Sequence, residues 1–202
     1  MKLKQTLAIT IAIVAVGLVG LRATNAHALT IALEPSVSSV TVADSFDVAL
    51  TISGLTAGAA PSLGVYDINV LFDSSIFAFS GVAFGDPGLG DQLAFGFSLT
   101  DYALIAGGVN IFEVSLDSVA TLNTSQAGAF TLATLSFDAI AAGTSAFTLN
   151  NVILGDAYGD PLYVDEVLDS SASASVIPEP SSAILFVIGA LVMQRRVVGH
   201  AR

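Results

Sequence analysis

Hydrophobic and polar side chains alternate with a period of two along most of residues 29–176. In the run GVYDINVLFD, the residues Tyr66, Ile68, Val70 and Phe72 fall on one side of an extended chain. Because successive side chains of a β-strand point to opposite faces, this pattern predicts strands with one buried face. The pattern predicts further strands at 29–33, 46–53, 77–84, 93–99, 102–106, 109–116, 130–139, 147–153 and 162–164.

Turn-forming residues separate these segments at short intervals. Typical examples are Gly107-Gly108 and Gly159-Asp160-Pro161. Glycine and proline interrupt strands because they favour special backbone angles. Residues 118–126 are the one candidate for a short helical turn. Many short strands with regular turns predict an all-β domain, a β-sandwich over residues 29–168. Residues 169–177, with the run SSASAS, are expected to form a polar spacer, and a last weak strand is the alternative.

Charge divides the chain into a purely anionic middle and two basic ends. All six Lys and Arg residues and both His residues lie outside residues 29–177. The net charge of the whole chain is −11, and 16 of its 17 Asp and Glu residues lie inside that segment. The predicted domain therefore has no side-chain cation with which its carboxylates could form salt bridges.

This charge distribution excludes several classes of function. Nucleic-acid binding relies on Lys and Arg, which the middle of the chain lacks. A serine nucleophile has neither His nor Lys there to take its proton. The chain has no cysteine, which excludes thiol catalysis and thiolate metal sites. A pair of carboxylates is the remaining catalytic possibility, but the acids lie mostly in predicted turns, so we expect a protein that is not an enzyme.

Residues 1–28 have the three parts of a secretory signal peptide. Lys2 and Lys4 form a charged start, an apolar stretch follows at 7–21, and Ala26 and Ala28 place small residues before a cleavage point at Leu29. The pattern predicts an N-terminal signal helix and export. An uncleaved N-terminal anchor is the alternative.

Residues 178–202 carry a second membrane-targeting pattern. The motif Pro178-Glu179-Pro180 precedes an apolar run at 183–193, which Arg195 and Arg196 follow. An apolar helix followed by arginines predicts a transmembrane element whose far end stays in the cytoplasm. The order of motif, helix and basic end resembles the PEP-CTERM sorting signal. That resemblance implies processing by an exosortase in a Gram-negative bacterium that makes exopolysaccharide. A tail that packs on the domain is the alternative.

Two stretches of the middle segment resemble the cohesin family. The first comprises SVTVADSFDVALTISGLTA and LGVYDINVLFDSSIFAFSGV, and the second comprises GAFTLATLSFDAIAAGTSAFTL and VILGDAYGDPL. They resemble the opening strands of the family and its later strand, turn and closing hairpin. The resemblance implies a nine-stranded jelly-roll sandwich that binds other modules without covalent chemistry. Cohesins bind Ca²⁺-loaded dockerins, and related sandwiches bind polysaccharide.

Acidic residues gather around a glycine-rich hairpin near the end of the domain. Oxygen ligands on a flexible loop suit Ca²⁺. The candidate ligands are Asp156, Asp160, Asp165 and Glu166, with Asp169 nearby. The alternative is that these carboxylates form turns and keep the surface soluble. A sparser cluster comprises Asp86, Asp91 and Asp101.

Tyrosines are the candidate sugar-binding side chains, because the chain has no tryptophan. Tyr158 and Tyr163 flank the acidic hairpin, whereas the alternation assigns Tyr66 to the core. We therefore expect an exported interaction module, anchored briefly in the inner membrane, then released to the cell surface or exopolysaccharide. Binding of polysaccharide or of a dockerin-like partner is the alternative description of its role.

Overall fold

Two β-sheets packed face to face form the domain. The computed structural model describes residues 28–176 of the chain. In chain order the strands are β1 (Thr30–Pro35), β2 (Ser39–Thr41), β3 (Ser45–Ser53), β4 (Leu63–Leu71), β5 (Phe77–Phe84), β6 (Ser98–Ile105), β7 (Gly108–Ser115), β8 (Ala129–Ala139), β9 (Gly143–Asp156), β10 (Glu166–Leu168) and β11 (Ser170–Ser175). A helix, α1 (Val119–Ser125), lies between β7 and β8.

Apart from the β6–β7 hairpin, adjacent strands in each sheet are not consecutive in sequence. The five-stranded sheet has the order β10-β1-β3-β8-β5, and the six-stranded sheet has the order β2-β11-β9-β4-β7-β6. Consecutive strands such as β3 and β4 therefore lie in different sheets. Most pairs are antiparallel, while β10 pairs with β1, and β2 with β11, in parallel. The predicted β-sandwich is confirmed.

Phenylalanines from both sheets fill the space between them. The ring of Phe46 on β3 lies 4.9 Å from that of Phe77 on β5 and 6.0 Å from that of Phe147 on β9. Phe137 on β8 lies 5.0 Å from Phe147. These side chains are buried, and each contributes about 1.5–3 kcal/mol through its removal from water. The residues predicted to face the core from β4, beginning with Tyr66, are buried as expected.

The helix forms where the sequence predicts a helical turn. The hydroxyl of Ser118 accepts a hydrogen bond of 3.1 Å from the backbone N–H of Thr121, which satisfies one free donor of the first turn. Leu122 is buried and holds the helix against the sandwich. The helix ends at Gln126, whose N–H still bonds to the carbonyl of Leu122.

Two predicted strands are absent from the described part of the chain. Residues 93–97 form a loop, because the Asp91 carboxylate accepts the N–H of Leu93 at 2.8 Å and makes a local turn in place of a strand. Residues 162–164 make no ladder, although the N–H of Leu162 bonds to the carbonyl of Leu154 at 3.0 Å. The strand predicted at 102–106 instead starts at Ser98.

Ser170–Ser175 forms β11, so the polar spacer expected at 169–177 is wrong and its alternative, a last weak strand, is confirmed. This strand pairs with β9 on one side and β2 on the other. Ala172 and Ala174 are buried, and their small side chains fit where the two sheets approach each other. The nine strands implied by the family resemblance become eleven within residues 28–176.

The predicted signal peptide and the predicted sorting tail lie almost wholly outside the described residues. Ala26, Pro178, Glu179, Pro180, Arg195 and Arg196 belong to those undescribed ends. Ala28 is described and is exposed next to β1. Between residues 28 and 176, no helix is long and apolar enough to cross a membrane.

Candidate functional site

The outward side of β9, β4, β7 and β6 forms a mixed apolar and polar surface, which we call the front face. Its residues follow from the strand register, because their sequence neighbours point into the core. The members are Asn150 and Ile153 on β9, Val65, Asp67 and Asn69 on β4, Asn110, Phe112 and Val114 on β7, and Leu99, Asp101 and Ala103 on β6.

Large apolar side chains lie exposed on this face. Leu99 is 56% exposed and Ile153 is 54% exposed. Between them Val65, Phe112 and Val114 are partly covered by their neighbours. Contiguous apolar surface rimmed by polar groups is typical of an interaction site.

A short hydrogen-bond network fixes the polar centre of the front face. The amide group of Asn110 donates to the Asp67 carboxylate at 2.6 Å and to the Asn69 side-chain oxygen at 2.8 Å. The carboxylate and amide groups are thereby held in one arrangement before any partner arrives. The period-two pattern of β4 predicts that Asp67 and Asn69 share a face, but their contact with Asn110 depends on the pairing of β4 with β7.

A β-bulge shapes the β9 side of the front face. The register between β4 and β9 shifts between Asp67 and Asn69, and Asn151 has a positive φ of 50°. An extra residue in one strand bends it and turns the following side chains. The shift pairs Ile153 with Asp67 and Asn150 with Asn69, so that both side chains join the face.

Strand β6 is a free edge of the six-stranded sheet. Tyr102 and Leu104 point to its inner side but remain exposed, because the facing sheet covers this edge only in part. The ring of Tyr102 lies 5.7 Å from that of Phe79 on β5. The exposed loop residues Phe95 and Phe97 precede the same strand. The apolar surface therefore continues around this edge.

The predicted calcium ligands are not brought together. One Asp156 oxygen accepts the N–H groups of Tyr158 and Asp160 at 2.8 and 2.9 Å, and Asp165 accepts the N–H of Leu29 at 2.8 Å. Glu166 lies exposed on β10. Within residues 28–176, no three acidic or histidine side chains are grouped so that they could hold a metal ion. Asp156 satisfies backbone donors of its own turn, and Asp165 satisfies the N–H of Leu29 at the start of the described chain.

The second, sparser acidic cluster of Asp86, Asp91 and Asp101 does not form a metal-binding group either. Asp86 accepts the N–H groups of Gly88, Leu89 and Thr131 at 2.8–2.9 Å. Hydrogen bonds from the backbone of Thr131 and Leu89 lower the pKa of Asp86, so that it stays ionised. Asp86 therefore ties the turn after β5 to β8, whereas Asp101 lies on the front face.

The two candidate sugar-binding tyrosines are exposed. Tyr158 is 72% exposed and Tyr163 is 82% exposed, on either side of the Asp160 turn. Tyr66 is buried in the core, as the alternation predicts. Both Tyr158 and Tyr163 are therefore accessible for stacking against a sugar ring, as the hypothesis of sugar binding requires.

Glu113 on β7 is a buried carboxyl that the sequence interpretation missed. Its Oε2 accepts a hydrogen bond of 3.0 Å from the Tyr66 hydroxyl, and its Oε1 has no hydrogen-bond partner. Burial raises the pKa of Glu113 from 4.5 to about 7, and the nearby Asp91 adds to the rise. The alternation Val109-Ile111-Glu113 already places this residue on the inward face, which is the signal that could have found it.

Solved cohesin modules share this fold. No protein-family model and no curated protein matches the sequence. A non-cellulosomal cohesin from Archaeoglobus fulgidus is 16% identical, with a TM-score of 0.55 over 77% of this chain and 96% of that chain. A cohesin module of a family 33 glycoside hydrolase from Clostridium perfringens is 13% identical, with a TM-score of 0.56 over 75% and 99%.

A type I cohesin solved with a dockerin from Clostridium thermocellum shows the same similarity. It is 12% identical, with a TM-score of 0.57 over 75% of this chain and 96% of that chain. At these identities the likeness concerns the fold. The chain therefore has a cohesin-like β-sandwich, as its resemblance to the family implies.

Proposed function

We propose that this chain is an exported, non-enzymatic interaction module that binds a protein partner through the front face. The main observation in support is that the exposed apolar residues Leu99 and Ile153 lie on either side of the hydrogen-bonded polar group of Asp67 and Asn110. A sheet face of this kind offers apolar contact area, while the fixed polar groups select one orientation of the partner.

The charge of the domain defines the chemistry of the partner. Residues 28–176 carry 16 acidic side chains and no Lys, Arg or His. A partner that places Lys or Arg beside Asp67 and Asp101 gains complementary charge, and an anionic partner is repelled. Several similar cohesin structures were solved as complexes with dockerins. This supports a dockerin-like module as the proposed partner.

The buried position of Glu113 supports a non-enzymatic role. A raised pKa near 7 would suit a general acid, but the side chain is fully buried and no substrate atom could reach it. The carboxylates of Asp156 and Asp165 instead accept hydrogen bonds from backbone N–H groups.

The proposal is tested by measuring the affinity of this protein for dockerin-like modules that the source organism encodes. Changing Leu99 and Ile153 to serine should weaken binding by tenfold or more, because the apolar contacts on both sides of the polar centre are lost. Leu89→Ser is the matched control, since Leu89 is also 56% exposed but lies in the turn after β5. Equal loss with the control, or no loss with the double variant, contradicts the proposal.

Export and sorting form the second part of the proposal. The signal peptide directs the chain out of the cytoplasm, the PEP-CTERM tail holds it in the inner membrane, and an exosortase removes the tail for release toward exopolysaccharide. The support is the order of sequence motifs at the two ends. The intact mass of the secreted protein should show removal of residues 1–28 and of the tail after Pro178-Glu179-Pro180. A full-length cytosolic chain contradicts this route.

Carbohydrate binding is the second candidate function. The exposure of Tyr158 and Tyr163 favours it, since exposed aromatic rings stack on sugar faces. Retention of the protein on the polysaccharide of the source organism, and its loss in Tyr158→Ala and Tyr163→Ala, test this candidate. Retention that is unchanged in both variants excludes the tyrosines as the contact.

A further inference from the structure

A shallow cleft lies on the outer side of the five-stranded sheet, opposite the front face. It has a volume of about 330 Å³, which is at the lower end of the roughly 300–1,000 Å³ of small-molecule sites. We call it the rear trough and define it by its lining residues Thr30, Ala32, Glu34, Thr51, Ser53, Asp86, Ala129, Thr131 and Leu168. Ile52 and Phe130 also border it.

Short side chains on three neighbouring strands form the floor of the rear trough. The register places Ala32 of β1 opposite Thr51 of β3, and Thr51 opposite Thr131 of β8. The next row pairs Thr30 with Ser53 and continues to Ala129. Hydroxyl and methyl groups therefore alternate across a surface that carries no long side chain. This gap between longer neighbours is what makes the cleft.

Longer side chains form the rim. Leu168 of β10 lies opposite Ala32 and closes one side, while Asp86 closes the other. The Asp86 carboxylate is fixed beside the floor, because its Oδ2 accepts the backbone N–H of Thr131 at 2.8 Å. Its Oδ1 accepts two further backbone N–H groups. The Thr131 side chain also lies within reach of this carboxylate, so Asp86 and Thr131 form one polar group at the edge of the trough.

We propose that the rear trough binds a neutral saccharide. The hydroxyls of Thr30 and Thr51 donate long hydrogen bonds of 3.5 Å to the carbonyl of Ala28 and to the Glu34 carboxylate, so each can accept a hydrogen bond from a sugar hydroxyl or exchange its donor to it. The Thr131 hydroxyl and the carboxylates of Glu34 and Asp86 add further polar groups along the trough. The Leu168 side chain and the methyl group of Ala32 supply an apolar surface for the C–H face of a sugar ring. A few polar groups on a partly apolar concave surface are the usual composition of such a site.

Charge restricts the saccharide to a neutral one. Glu34 and Asp86 lie at the rim, and residues 28–176 contain no Lys, Arg or His that could pair with a uronate or a sulfate. The charge of an anionic sugar would lie beside these carboxylates with no cation to neutralise it, so such a sugar is repelled. The rear trough thus selects neutral over acidic glycans.

This inference deepens the second candidate function and rests on it, because it gives a saccharide a site other than Tyr158 and Tyr163. It is independent of partner binding at the front face, which lies on the opposite sheet. A dockerin-like module and a neutral saccharide would therefore bind at the same time.

The test is an NMR titration of the ¹⁵N-labelled full-length chain with cello-, malto- and manno-oligosaccharides. Oligogalacturonate and an oligolysine peptide are the charged comparison ligands. At least one neutral series should shift the amide signals of Thr30, Thr51 and Thr131 and leave Asn110 of the front face unchanged. Oligogalacturonate should shift none of them.

Variants locate the site. Thr51→Val together with Thr131→Val keeps the side-chain shape and removes two hydroxyls, and should weaken binding about tenfold. Ala129→Phe should abolish binding by filling the floor. The matched controls are Thr134→Val and Ala83→Phe, since Ala83 and Thr134 pair on the same side of the sheet outside the trough. Both controls should bind as the unchanged protein does.

Four results of the titrations and trough variants would overturn the inference, and a fifth comes from the tyrosine variant. The first four are the absence of shifts with every neutral series, equal loss in the controls, equal binding of oligogalacturonate, and oligolysine binding at the trough in place of sugars. If Tyr158→Ala removes sugar binding while the trough variants retain it, the rear trough is excluded but carbohydrate binding stands.

Discussion

Glu113→Gln is expected to remove most of the pH dependence of stability between pH 4.5 and pH 8. The carboxyl is fully buried, with one oxygen bonded to the Tyr66 hydroxyl and the other without a partner. Burial and the neighbouring Asp91 raise its pKa to about 7 in the folded protein. The glutamine amide has nearly the same shape and cannot ionise.

The direction of the pKa shift determines whether the free energy of unfolding rises or falls with pH. A group whose folded pKa is raised binds its proton more tightly in the folded state, so its contribution is complete below the ordinary pKa near 4.5. As the pH rises toward 7 the unfolded chain releases that proton and the folded protein does not, which lowers the free energy of unfolding. Above pH 7 the folded protein must hold a buried charge beside Asp91.

The size of the stability change follows from the difference between the folded pKa of Glu113, about 7, and its ordinary pKa of 4.5. At about 1.36 kcal/mol per pKa unit, this corresponds to a loss of up to about 3 kcal/mol in the free energy of unfolding. Such a loss is a large fraction of the roughly 5–15 kcal/mol that stabilises a typical domain.

Urea unfolding at a series of pH values, followed by circular dichroism, measures this difference. The free energy of unfolding of the unchanged protein should fall relative to that of Glu113→Gln as the pH rises from 4.5 to 8. Glu166→Gln is the control, because Glu166 is an exposed glutamate on β10, and its curve should parallel that of the unchanged protein. Parallel curves for Glu113→Gln as well would refute the reasoning.

Three further predictions concern packing and charge. Phe137→Ala should lower the free energy of unfolding by about 3–5 kcal/mol in urea melts, because Phe137 is buried among Phe46, Phe72 and Phe147; a change below 1 kcal/mol contradicts the packing. Ala172→Glu should destabilise the domain by several kcal/mol and Ser171→Glu much less, since Ala172 of β11 is buried and Ser171 is exposed; equal effects of the two variants contradict the position of β11. At matched ionic strength, Ca²⁺ should raise the melting temperature by binding carboxylates that have no cationic partner; equal melting temperatures with Ca²⁺ and with chelator contradict this.

The positions of most strands could be predicted because they depend on local patterns. Leu50 and Ile52 on β3 are buried, as the period-two alternation predicts. The helical turn at 118–126 was also visible, since Ser118 is a preferred N-cap residue. The failures have local causes as well. The carboxylate of Asp91 diverts the chain from a strand at 93–97, and the run SSASAS has too little hydrophobic contrast to favour β11 over a polar spacer.

The candidate sites were much less predictable. The acidic residues from Asp156 to Glu166 are close in sequence, but Asp156 and Asp165 accept hydrogen bonds from different backbone groups. The Tyr66 hydroxyl meets Glu113 across 47 positions of sequence, and no local pattern connects the two residues.

The sequence alone determined the class of the domain, the inward side of its main strands and the complete absence of cations between residues 29 and 177. These properties depend on residue types and on spacings of a few positions. Only the tertiary structure decided which strands are neighbours, and thereby assembled the front face, the rear trough and the buried Glu113. Strand pairing brings together residues that are far apart in sequence. The register of that pairing decides which side chains become neighbours on a sheet, and the sequence of one strand does not specify it.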